Sequence, residues 1–118
     1  MKTKLFLFSL FLLSFSVLYA QIDYDNPEPN FGNTGENASA LGKHTLASGM
    51  RSFANGYMTN STSFISFASG YYAQAHGQFS VAFGFQNEAW DDHTFAIGRN
   101  AIAHGYASFA MGEEVQTN

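Results

Sequence analysis

The chain is 118 residues long with a formal net charge of −4, and it is 17% aromatic but only 12% charged. It contains no cysteine, which excludes a disulfide framework, a thiolate metal site and a lipid-modified N-terminus, and its 5 Lys and Arg make nucleic acid a poor partner. Abundant Phe, Tyr, Ala, Ser and Gly point to extended structure with a small-residue interior rather than to a helical bundle.

The first element is an export signal. Met1 to Lys4 holds two lysines, Leu5 to Leu18 is a run dominated by Leu and Phe, and Tyr19-Ala20-Gln21 turns polar. A basic start, a short apolar stretch and a small residue at its end are the parts of a secretory signal peptide, here residues 1–20. The run is shorter than the roughly 20 apolar residues of a membrane-crossing helix, and nothing after it could span a bilayer as a helix. The mature chain from Gln21 keeps three cations (Lys43, Arg51, Arg99) against nine carboxylates, a formal charge of −6. Residues 21–36 contain both prolines and four of those carboxylates, and read as a linker or N-terminal cap.

From Asn37 onward a repeat governs the chain. Gly42, Gly49, Gly56, Gly70, Gly77, Gly84, Gly98, Gly105 and Gly112 lie on one seven-residue lattice, with Ser63 and Asp91 at its vacant points. Ala stands two residues before every lattice point from 42 to 112 except at Ser61, and four residues before stands a small or short polar residue. A heptad repeat also suggests a coiled coil, but coiled coils need two large apolar positions per heptad and avoid Gly. Small residues two apart are strand spacing. Each unit therefore reads as a five-residue strand closed by a glycine turn, where the missing Cβ permits positive φ. Asp91, at a glycine point, reads as a left-handed turn residue, with Asp92 and His93 in the following loop.

The residues between the small ones reveal a double period. In alternate units nine of the twelve flanking residues are large and apolar, among them Phe53, Phe67, Val81, Phe83, Phe95, Ile97, Phe109 and Met111; in the intervening units only three of ten are. The coil is therefore fourteen residues long: a strand with an apolar outer side, a turn, a strand with a mostly polar outer side, a turn. Ala, Ser and Thr fill a flat interior, and the coils stack as parallel strands about 4.8 Å apart.

Segments such as Phe79-Ser80-Val81-Ala82-Phe83-Gly84 and Ser108-Phe109-Ala110-Met111-Gly112 resemble the YadA-like head repeats of trimeric autotransporter adhesins. The resemblance runs from Asn37 to Gly112, within a repeat domain drawn as residues 37–118. It implies an all-β, left-handed parallel β-roll (a β-solenoid) of fourteen-residue coils that associates as a homotrimer. It also implies a place on the bacterial cell surface or outer membrane, and binding of a matrix protein or glycan. The family's stalk and membrane β-barrel have no counterpart before Asn118, so the resemblance further suggests a fragment or a truncated reading frame. Family members that bind collagen place Asn before Ser-Val-Ala, and here Phe79 stands there. The apolar row agrees with association, because a contiguous apolar surface of that size marks a protein–protein interface.

No catalytic motif emerges, and no cofactor or metal is expected. Asp91-Asp92-His93 reads as a turn rather than a metal site, since no repeated ligand geometry accompanies it. The serines lie mainly on the inward row, and no nucleophile elbow, phosphate loop or zinc-helix pattern is present. Two functions stay open: an adhesin head with a ligand of its own, and a rigid spacer in a surface fibre. Ice binding would need an outward Thr row, whereas Thr45, Thr59 and Thr94 lie inward. The candidate ligand contacts are His76, Trp90 and His104, which stand fourteen residues apart on the polar strands and stack on successive coils.

Overall fold

A computed structural model describes residues 32–118; the export signal at 1–20 and residues 21–31 of the linker lie outside the described residues. Among the described residues thirteen strands follow one another, alternately two and five residues long. The short ones are β1 (Gly32–Asn33), β3 (Leu46–Ala47), β5 (Asn60–Ser61), β7 (Gln74–Ala75), β9 (Glu88–Ala89), β11 (Ile102–Ala103) and β13 (Gln116–Thr117). The long ones are β2 (Ser39–Lys43), β4 (Phe53–Tyr57), β6 (Phe67–Tyr71), β8 (Val81–Phe85), β10 (Phe95–Arg99) and β12 (Phe109–Glu113). Short strands form one sheet and long strands another, each in strict chain order. Every pairing is parallel, and Phe95 sits opposite Phe109 as Gly98 sits opposite Gly112. The protein is a parallel β-solenoid whose coil is fourteen residues long. It begins earlier than Asn37: Gly32 and Asn33 already pair with Leu46 and Ala47, so the end of the linker or cap segment is a rung of the solenoid.

The interior follows from the small-residue rows. Ala40, Ala54, Ala68, Ala82, Ala96 and Ala110 from the long strands meet Ala47, Ala75, Ala89 and Ala103 from the short ones, all fully buried. Thr45, Thr59 and Thr94 are buried as well. A side chain this small brings the two sheets close together, and each contributes little apolar burial, so the backbone ladders must carry much of the stability. Three interior hydroxyls are satisfied locally, whereas among the described residues Ser52 Oγ and Thr59 Oγ1 are buried without a hydrogen-bond partner. Ser66, Ser80 and Thr94 each donate to the carbonyl three residues back, on Ser63, Gly77 and Asp91, at 2.6–2.7 Å. Asn87 is the largest fully buried side chain. Its amide donates to the Phe83 and Gly98 carbonyls at 2.6 and 2.8 Å and accepts from the Ala101 N–H at 2.8 Å.

The turns differ from the lattice expectation. Gly42, Gly56, Gly70, Gly84, Gly98 and Gly112 do have positive φ, from 114° to 132°, but they are the fourth residues of the long strands and not the ends of strands. Gly49 and Gly77 have no positive φ and sit where an added Cβ would strike the backbone of the next coil, whereas Gly105 has the expected positive φ, at 86°. The left-handed positions lie two residues after each lattice point and are held by non-glycine residues: Asn37, His44, Arg51, Met58, Ile65, Tyr72, Phe79, Gln86, His93, Asn100, Ala107 and Glu114, with φ between 51° and 61°. Asp91 is therefore not the left-handed residue of its turn; His93 is, with φ 61°.

Such a conformation costs an L-residue on the order of 1–2 kcal/mol, and β-branched Ile65 is an outlier there. The compensation is a rung bond to the coil before. Tyr72 N–H donates to the Tyr57 carbonyl at 2.9 Å, Ile65 to Met50 at 3.0 Å and His93 to Gln78 at 2.8 Å. Local preference loses because each left-handed residue keeps the coil in register for one ladder bond more.

Candidate functional site

On a five-residue strand the first, third and fifth side chains point outward. The outer face of the long-strand sheet thus carries three columns, not the two that a strand ending at glycine provides. The first two hold the expected interface residues. Phe83, Phe95, Phe109 and Met111 are exposed, Met111 to 63%, while Phe53, Phe67, Val81 and Ile97 are half-buried beneath their neighbours. Rings one coil apart meet: Phe53 and Phe67 stack at 5.2 Å, and Phe95 lies 5.8 Å from Phe109.

The third column, Lys43, Tyr57, Tyr71, Phe85, Arg99 and Glu113, escaped the sequence reading. Its middle is an aromatic ladder, with Tyr57 on Tyr71 at 5.3 Å and Tyr71 on Phe85 at 5.0 Å, and its end is an exposed ion pair of Arg99 with Glu113. The signal was present as the residue after each alternate lattice glycine, legible only once the strand is known to run through that glycine. Together the columns make a diagonal. In the coils of Phe53 and Phe67 the apolar surface lies in the first and third columns, flanking Asn55 and Ser69; in the later coils Phe83, Ile97 and Met111 shift it to the first and second.

The short-strand sheet brings His76, Trp90 and His104 together as a stack. The His76 ring lies 4.5 Å from Trp90, and Trp90 lies 5.9 Å from His104, both stacked, so the two faces of the indole are covered and its edge is left to solvent. Trp90 Nε1–H donates to Glu88 at 2.8 Å. His76 has Thr62 Oγ1 at 3.2 Å from Nδ1 and Gln74 Oε1 at 3.0 Å from Nε2. Burial pushes the His76 imidazole below its ordinary value of 6.5, with the Glu88 carboxylate opposing the shift. Trp90 separates the two histidines, and among the described residues no group of three or more His, Asp or Glu is arranged to hold a metal ion.

Asp91-Asp92-His93 resolves into coil-to-coil fastening. Asp91 accepts from the Gly105 N–H at 2.7 Å, and Asp92 accepts from the Gln78 N–H at 2.8 Å. His93 joins a corner ladder unforeseen in the sequence, stacked on Phe79 at 5.1 Å and 5.1 Å from Tyr106.

Among the described residues no helix is long and apolar enough to cross a membrane. A family model described as the YadA head domain repeat (2 copies) matches residues 34–57, 66–87 and 92–113, more than half of the chain. Comparison with curated proteins and with solved structures returns no match.

Proposed function

The chain belongs to the YadA head domain repeat family, an adhesin-like surface module, and from that premise we propose that it is an exported, non-catalytic adhesin head that binds a matrix protein or glycan as a homotrimer. The observation that carries the proposal is the three-column apolar face of the long-strand sheet. Phe83, Phe95, Phe109 and Met111 are all exposed on one face of one chain, and covering each such side chain is worth about 1.5–3 kcal/mol. A closed threefold ring covers that face without runaway association. The wall then faces partner chains, and the polar short-strand sheet, with His76, Trp90 and His104, remains for a ligand.

The spacer reading is favoured by one observation. Both faces of Trp90 are taken by histidine rings, so a ligand meets ring edges and not an open indole face. Adhesion of the purified chain to matrix and glycan arrays separates the two readings. An adhesin head adheres, and Trp90→Ala lowers adhesion with unchanged melting temperature and assembly mass. Equal adhesion by parent and variant removes Trp90 from the contact surface, and a parent that adheres to nothing leaves the spacer.

A further inference from the structure

At the corner where the chain passes from the long-strand sheet to the short-strand sheet, a groove of about 240 Å³ opens between His44, Met58, Asn60, Tyr72 and Gln74. The coil geometry explains its lining. His44, Met58 and Tyr72 are the left-handed residues of three successive coils, so their side chains stand at the corner in one column. Asn60 and Gln74 are the first residues of β5 and β7, paired one rung apart. Between the columns lie the fully buried Thr59 and Ala73, whose small side chains turn inward and leave the space open. Tyr72 is braced from the other side by Tyr71 and Tyr57, at 4.8 and 6.2 Å. The groove therefore lies at the corner beside the third column of the long-strand face, whose Tyr57 packs against both His44 and Tyr72.

We propose that this groove is a subsite for one ring of a neutral saccharide, an assignment that rests on the adhesin reading and gives it a ligand class and a place. The lining contains no Asp, Glu, Lys or Arg, so apart from the His44 imidazole it offers a charged ligand no countercharge. The volume is below the roughly 300 Å³ at which drug-sized pockets begin, which suits a single sugar ring and not a folded peptide. Tyr72 and Met58 offer an apolar wall for the C–H face of a pyranose, where aromatic contact is favourable. Asn60 and Gln74 offer two amides, each both donor and acceptor, from paired strand positions whose backbones lie about 4.8 Å apart, so that two hydroxyls of one ring have a partner on each strand. The Asn60 amide has no hydrogen-bond partner among the described residues. The Gln74 carbonyl faces His76 Nε2 at 3.0 Å, which orients its NH₂ and joins the groove to the His–Trp stack along the same sheet.

The test is saturation-transfer NMR on the full chain with galactose, glucose, N-acetylglucosamine and, as the charged control, sialic acid. Transfer to at least one neutral sugar and not to sialic acid is expected. Asn60→Ala and Gln74→Ala should each weaken that sugar's binding at least tenfold, with melting temperature unchanged. No transfer to any neutral sugar, or transfer undiminished in both variants, overturns the groove. A parallel adhesion assay keeps the two readings apart. Adhesion to a matrix-coated surface without sugar binding overturns the groove and leaves the adhesin; sugar binding without adhesion upholds the groove and removes the adhesin.

Discussion

The two sheets share one interior and one period, yet present opposite outer surfaces. In the long-strand sheet five residues per coil enter the ladder, and glycine occupies the fourth place with φ near 120°. In the short-strand sheet two residues enter, and the chain bends away at once. Ladder length sets the surface. Five paired residues hold three outward columns in register, enough to stack Phe on Phe and Tyr on Tyr into a continuous apolar face. Two paired residues hold only one outward column inside the ladder, which includes the amides of Asn60 and Gln74, and the position flanking it diversifies into Thr62, His76, Trp90 and His104. The lesson is that a small, uniform core permits asymmetry of the surface: Ala, Ser and Thr close both sheets, while strand length decides which outer face is continuously apolar and which is polar.

The sharpest break of this comparison lies in the glycines. Gly84→Val places a β-branched residue at φ 122°, where its Cβ meets the Gly98 carbonyl and lies 2.8 Å from the Asn87 amide. A loss of about 3 kcal/mol or more is expected, which unfolds a marginal solenoid. Gly77→Ser on the other side should cost less. A Cβ at Gly77 strikes the Asp91 backbone much as one at Gly84 strikes Gly98, but Gly77 has no positive φ, so the left-handed strain of the Gly84 variant is not added, and Ser63 and Asp91 stand in the same column. Thermal melting followed by far-UV circular dichroism ranks the two, and equal losses would remove the distinction between strand and turn glycines.

The outer faces come next. Phe95→Asp puts a charge in the middle of the apolar wall, and the matched Ile102→Asp puts one on the short-strand sheet. Sedimentation equilibrium should show self-association of the parent weakened at least tenfold by Phe95→Asp and unchanged by Ile102→Asp. A parent that stays a folded monomer at micromolar concentration contradicts the association outright.

The smallest effect is electrostatic and confined to the short-strand sheet. Because burial holds the His76 pKa below 6.5, the unfolded chain takes up a proton there before the folded chain does. Between those two values the unfolded state binds more protons, so stability is full above about 6.5, falls as pH drops through the window and levels off below the lowered pKa. Melting temperatures from pH 7.5 to pH 5 should fall slightly more for the parent than for His76→Gln. Parallel curves would show that burial of His76 is not felt as stability.

Much of this architecture is legible in the residues alone, and the reason is periodicity. A side chain confined between two close sheets must be small in every coil, so Ala40 to Ala110 and the Ser and Thr rows declare strand direction, coil length and the apolar face without any coordinates. The family resemblance rests on the same rows and is carried by the matched segments. What those rows do not encode is where the ladder starts and stops. Nothing local in Ile65 or Phe79 favours a left-handed backbone, and those residues adopt it because an N–H to the previous coil outweighs the local strain. From that inter-coil bond follow the run of each strand through its glycine and the outward turn of Tyr57, Tyr71 and Phe85. The covering of Trp90 by two histidines and the groove at Asn60 likewise need residues fourteen apart to be set side by side. Composition and spacing specify the core because every coil repeats it; the surface sites arise from contacts between coils, which no single repeat contains.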